Sequence, residues 1–191
     1  MNKLFNIIVV VISSILMLSC NGQSKNETNG SSTVFTGAPG EIKLVVLDPG
    51  HFHASLLQKF SNPQVNDTVF VYAPEGVELD QYLASIEAYN NRMENPTDWV
   101  EIVYTGEDYL EKMLSDKNGN VVILAGNNKK KTEYIYEAIN SGFNVLSDKP
   151  MAINRENYHL LTSAFDIAKA NNVYLYDVMT ERYSRAHELR C

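Results

Sequence analysis

Asn144-Val145-Leu146-Ser147-Asp148-Lys149-Pro150-Met151-Ala152 is a short apolar run that ends in an acid, a lysine and a proline. Proline has no N–H to give a ladder and holds its own φ, so a strand here must finish at or before Lys149. Ser141-Gly142 just upstream has the form of a helix C-cap, and Asn154 just downstream that of an N-cap. The order is therefore helix, strand, helix. In an open parallel sheet, ligands sit beyond the carboxyl ends of the strands, which is where this order sets Asp148 and Lys149. A cation there can meet a substrate hydroxyl; the plainer alternative is a solvated strand-to-helix loop.

The same alternation extends in both directions. Ile42 to Leu47, Thr68 to Ala73, Trp99 to Tyr104, Asn120 to Ala125 and Val173 to Asp177 read as five further strands. Between them lie helical stripes: Leu56, Leu57 and Phe60; Leu79, Tyr82 and Ile86; Tyr109 and Met113 behind a capping box at Thr105 to Asp108; Ile135 and Ile139; and Leu160, Leu161, Ala164, Phe165 and Ala168. Six strands alternating with helices predict an α/β fold, a Rossmann-like doubly wound parallel sheet in the order 3-2-1-4-5-6.

Three turns carry the candidate chemistry. Asp48-Pro49-Gly50-His51-Phe52-His53 joins the first strand to a helix, the place where backbone N–H groups and a helix dipole can face a pyrophosphate. Against G-x-G-x-x-G only Gly50 survives, with Asp48 at the first glycine and His53 at the third. A carboxylate at Asp48 repels phosphate unless it is turned away. His51 and His53 can donate to phosphate, fill turn and core roles, or bind a metal; with no third ligand near them in the sequence, no metal is expected. Glu75 follows the second strand and is either a ribose-binding acid or a loop carboxylate, which leaves NAD and NADP both open. Gly126-Asn127-Asn128-Lys129-Lys130-Lys131 opens a helix, where Lys130 and Lys131 sit unfavourably at the positive end and call for an anion, or else merely solubilise it.

Gly142 to Ala152 resembles the A-G-K-H-V-x-x-E-K-P-x-A signature of the glucose-fructose oxidoreductase, inositol dehydrogenase and rhizopine-catabolism family (Gfo/Idh/MocA), with Asp148 in place of the usual Glu. Gly126 to Lys131 resembles its T-P-N-x-x-H turn at Asn128, with Lys131 where His is usual. Met179 to Tyr183 stands where N-R-R-F is common, keeping Arg182 and an aromatic Tyr183. The family consists of NAD(P)-dependent oxidoreductases, mostly acting on sugars and cyclitols. The resemblance implies that Lys149 is catalytic, beside nicotinamide and substrate. It also implies that NAD or NADP is lined by Pro49, Gly50, His51, Phe52, Glu75, Gly126, Asn127, Asn128, Asp148 and Lys149. It covers residues 41–183, the nucleotide-binding half; the family's second α+β domain is not found in these 191 residues. Three readings follow: an oxidoreductase of sugars or cyclitols, incomplete as written; a lipid-anchored nucleotide- or sugar-binding module without chemistry; or a nonfunctional truncated product.

Met1 to Cys20 reads as a lipoprotein leader, with Lys3 before an apolar stretch and Cys20 at the place of cleavage and acylation. Residues 21–40 read as a flexible polar tether and 184–191 as an unstructured tail. The expected location is the bacterial envelope, with the body facing the periplasm or exterior and touching the membrane only through lipid. A net charge of −7, with no basic cluster beyond Lys129 to Lys131, argues against nucleic acid and for a small-molecule substrate. A homo-oligomer is compatible with this pattern.

Overall fold

The computed structural model describes residues 35–178. The leader, Cys20, most of the tether, and the segment with Arg182 and Tyr183 lie outside the described residues. The elements are β1 (Leu44–Leu47), α1 (His53–Leu56), β2 (Thr68–Tyr72), α2 (Val77–Asn91), β3 (Val100–Tyr104), α3 (Tyr109–Asp116), β4 (Val121–Leu124), α4 (Lys131–Asn140), β5 (Asn144–Asp148), α5 (Arg155–Asn171) and β6 (Leu175–Val178). All strand pairings are parallel and the sheet order is β3-β2-β1-β4-β5-β6, as the alternation predicted.

Strand periodicity divides the core in two. Val45, Leu47, Val122, Leu124, Val145 and Leu175 point to one face and pack under α3, α4 and α5, with Ile135, Ala138 and Ile139 of α4 fully buried. Leu44, Val46, Val69, Val71 and Ile123 point to the other and meet Leu79, Tyr82 and Ile86 of α2. β1 and β4 are buried on both faces, which is why they read as unbroken apolar runs. Each buried aliphatic side chain contributes about 1.5–3 kcal/mol. β1 and β4 are neighbours, and the chain winds outward from them in opposite directions. Their carboxyl ends therefore open the crevice in which such sheets bind ligands.

Four local expectations are corrected. The helix after β1 is a single turn, His53–Leu56, and Phe60 is exposed; just beyond it Trp99 donates its indole N–H to the Gln58 carbonyl at 2.6 Å. The capping box at Thr105 is not made: α3 starts at Tyr109, Asp108 accepts from the Tyr104 hydroxyl, and Thr105 turns to Glu75. On α5 the buried residues are Ala164 and Ala168, with Leu161 and Ile167 beside them, whereas Phe165 is exposed. Residues 35–40 join the domain rather than the tether. Glu41 gathers the N–H groups of Thr36, Gly37 and Ala38, which hold its carboxyl below the usual range, and Gly40 donates to the Pro63 carbonyl.

The caps around the opening stretch are as expected. The Asn154 side chain accepts from the Asn157 N–H at 2.7 Å, and Gly142 has φ +87°, the left-handed region that ends α4. β5 ends at Asp148, before Pro150.

Candidate dinucleotide and catalytic cleft

The turn after β1 and the turn after β4 lie against each other. Gly50 and His51 both donate backbone N–H to the Ala125 carbonyl, at 2.8 and 3.1 Å. A Cβ on Gly126 would collide with the backbone of Gly50, and Gly126 has φ +132°, so this approach needs glycine at 126, while a Cβ on Gly50 would make a tight contact at 3.3 Å. The role of Gly126 is thus to let the turns touch. The bonds to Ala125 also correct the expectation that the turn's amides lie open to phosphate: Gly50 and His51 are engaged. Phe52 keeps a backbone N–H without a protein acceptor among the described residues.

Asp48 is turned away, as a phosphate site at this turn requires. It has φ +47°, and its carboxylate accepts from the Asn127 side chain at 2.7 Å and the Tyr134 hydroxyl at 2.9 Å. Burial, then the hydrogen bond with Tyr109, pushes the Tyr134 phenol far above its ordinary pKa, so it stays a donor. Lys130 extends the chain by donating to Tyr109 at 3.1 Å. Asn127, expected beside the cofactor, and Asp48 therefore fix each other.

The centre of the cleft is an ion pair that sequence reasoning did not place. Lys131, at the first position of α4, is 1% exposed and its ammonium bonds directly to the Asp148 carboxylate. It also donates to the Asn128 side chain at 2.7 Å. The plain reading of this lysine as a solvated helix start is thereby excluded, and the anion it called for is Asp148. Asp148 is itself 3% exposed, and its second oxygen lies 3.4 Å from Nδ1 of His51 and 3.3 Å from Nδ1 of His53. The third ligand thought missing beside the two histidines is thus supplied from β5. Burial, then the neighbouring His53, holds the His51 pKa below its ordinary value.

Lys149 is exposed at the rim, with no ion-pair partner among the described residues. It shares a cleft of about 240 Å³ with Gly50, His51, Gly126, Asn127, Asn128 and Asp148. A second cleft of about 280 Å³ runs from Pro49 and Gly50 past Asp48 to Glu75, Glu78 and Asn127. Every residue expected at the site therefore lines one of these two clefts or, for Phe52, the adjoining groove beside Ser55 and Gln81.

Residues 50–177 match the model of the Gfo/Idh/MocA oxidoreductases, described as an oxidoreductase family with an NAD-binding Rossmann fold. The chain belongs to this family. A protein of Parabacteroides merdae, provisionally classed as an oxidoreductase, is 61% identical with TM-score 0.80 over 82% of this chain and 36% of its own. Biliverdin reductase of Synechocystis sp. PCC 6803, solved with biliverdin and NADP+, aligns at 11% identity and TM-score 0.58 over 77% of this chain and 40% of its own. The WlbA dehydrogenase of Bordetella pertussis, solved with NADH and UDP-GlcNAcA, aligns at 18% identity and TM-score 0.53 over 78% and 40%. The last two likenesses are of fold. No curated protein matches the chain. The chain spans 36% to 40% of these three relatives' lengths. In Gfo/Idh/MocA terms, the two departures at Lys131 and Asp148 are the two partners of one bond.

The residues present fit a dinucleotide. Two clefts meet at Gly50 and Asn127 across the carboxyl ends of β1 and β4, one bordered by acids at the end of β2 and the other by Lys149.

Proposed function

We propose that this domain binds NAD at the crevice between β1 and β4 and serves an oxidoreductase acting on a sugar or cyclitol. The observation that carries the reading is the meeting of the two clefts at the glycine pair, with Lys149 at one end and Glu75 at the other. Lys149 would hold the substrate oxygen during hydride transfer, its ammonium stabilising negative charge as it develops. Asn128, fixed by Lys131, borders the same cleft. The pyrophosphate falls to the Phe52 amide and the half-exposed His51 ring, since the Gly50 and His51 amides are taken. The adenosine cleft holds Asp48, Glu75 and Glu78 and no cation, which suits a ribose diol and repels a 2′-phosphate, so NAD is preferred to NADP.

Hydride transfer also needs a proton acceptor and walls that exclude water. In the family these belong to the domain after the sixth strand. The lipid anchor at Cys20 and the envelope location are parts of the same proposal, supported by the leader's pattern. The test is titration of NADH against the full chain and Gly50→Val, whose side chain would press on the Gly126 and Asn127 backbone. Weaker binding in the variant, with its melting transition retained, supports the site; equal affinity removes it from this turn.

A further inference from the structure

We propose that His51, His53 and Asp148 form a binding site for a divalent first-row transition metal ion, zinc by its donor set. The three ligands come from two strands' ends that the sheet order brings together. His51 and His53 follow β1, Asp148 closes β5, and β4 lies between them. Among the described residues, one donor atom from each lies within 4.8 Å of the others.

The distances fit a bound metal as well as the long His53–Asp148 hydrogen bond that stands there without one. Nδ1 to Oδ2 separations of 3.4 and 3.3 Å exceed the usual 2.7–3.2 Å of an N–H···O bond. Ligands held at about 2.0–2.2 Å in a tetrahedron lie roughly 3.3–3.5 Å from one another, so both separations are the edges of such a sphere. The two rings meet edge to face with centroids 4.3 Å apart, turned toward the same carboxylate oxygen. His51 Nδ1 accepts from the His53 backbone N–H at 3.4 Å, a long bond that an ion bound to the same lone pair would displace.

The surroundings have the order of a metal site. Lys131 occupies the other carboxylate oxygen and fixes the orientation of Asp148, as outer hydrogen bonds do for metal-ligating carboxylates. His53 and Asp148 are buried, while the His51 side chain is 41% exposed and provides an entry path. Three protein ligands leave a fourth position, and the cleft that holds Asn128 and Lys149 adjoins it. Lys131 and Lys149 oppose a second positive charge, so binding is weaker than at a closed four-ligand zinc site.

The experiment is titration of the chelator-stripped full chain with Co2+, followed by visible d–d absorption, and with Zn2+ by calorimetry. One equivalent is expected, with the intense bands of a tetrahedral ion. His51→Ala removes an accessible ligand without opening the core and should weaken binding about 10- to 100-fold, with the melting transition in metal-free buffer unchanged. Asp148→Asn should weaken it as well. No saturable binding by the wild-type chain would overturn the proposal, as would one-equivalent binding of equal affinity in His51→Ala. No dinucleotide is present in this titration, so its failure leaves the cofactor reading standing, and the reverse holds for the NADH titration.

Discussion

Lys131 and Asp148, which stand where the family pattern has His and Glu, are bonded to each other inside the cleft, with both side chains almost fully buried. A long cation is matched to a short acid, joining two positions that look unrelated in the sequence. Breaking a buried pair from one side leaves an uncompensated charge. Lys131→Met should therefore cost about 3–5 kcal/mol in urea unfolding, and Lys131→Met with Asp148→Asn far less than the sum of the two single changes. Additive losses would show that the two groups do not act as a pair.

The acidic adenosine cleft predicts cofactor preference. NADH should bind at least about tenfold tighter than NADPH, since placing a phosphate dianion beside Glu75 and Glu78 costs on the order of 1.4 kcal/mol or more. Glu75→Gln should narrow the gap by weakening NADH and admitting NADPH. Fluorescence titration of both cofactors measures it, and an unchanged ratio would show Glu75 to be a bystander.

Much of the fold was legible because it rests on periodicity. Strand runs such as Val121–Leu124 are apolar throughout, and the β-turn-helix alternation leaves few topologies. The cleft was legible only in part. Gly50, Asn128 and Lys149 could be placed by their position after a strand. The bond between Lys131 and Asp148 could not, because it joins two elements across the sheet and a lysine at a helix start ordinarily points to water. The one signal was electrostatic: a cation at the positive end of a helix needs an anion. The meeting of His51 and His53 with Asp148 has the same cause, since His53 and Asp148, 95 positions apart, become neighbours only once the strand order is known.

Glu101 gives the stability curve a pH dependence. Burial raises its carboxyl pKa above the ordinary 4.5, partly offset by the hydrogen bond from Gln58. A raised folded-state pKa contributes stability that is full below the unfolded value and lost as pH rises through the folded one. Glu101→Gln should thus be more stable than the parent at pH 7, by less than about 1 kcal/mol at this half-exposed site, and equal to it near pH 3. Urea melts at the two pH values decide it; a gap that widens in acid would reverse the assignment.

The leader predicts lipid on Cys20. Labelled fatty acid should enter the wild-type chain in a bacterial host and be absent from Cys20→Ala. Equal labelling of the two would remove the anchor.

The central claim is that a dinucleotide lies across the carboxyl ends of β1 and β4, and its most direct measurement is amide chemical-shift mapping of the 15N-labelled chain with NADH. Saturable shifts are expected at Gly50 to His53, at Glu75 and Gly76, and at Gly126 to Lys149 where the loops border the two clefts. Shifts confined to the apolar groove of Phe35, Leu44, Val121, Leu146 and Tyr174 on the far side of the strands, or no saturable shifts at all, would contradict it.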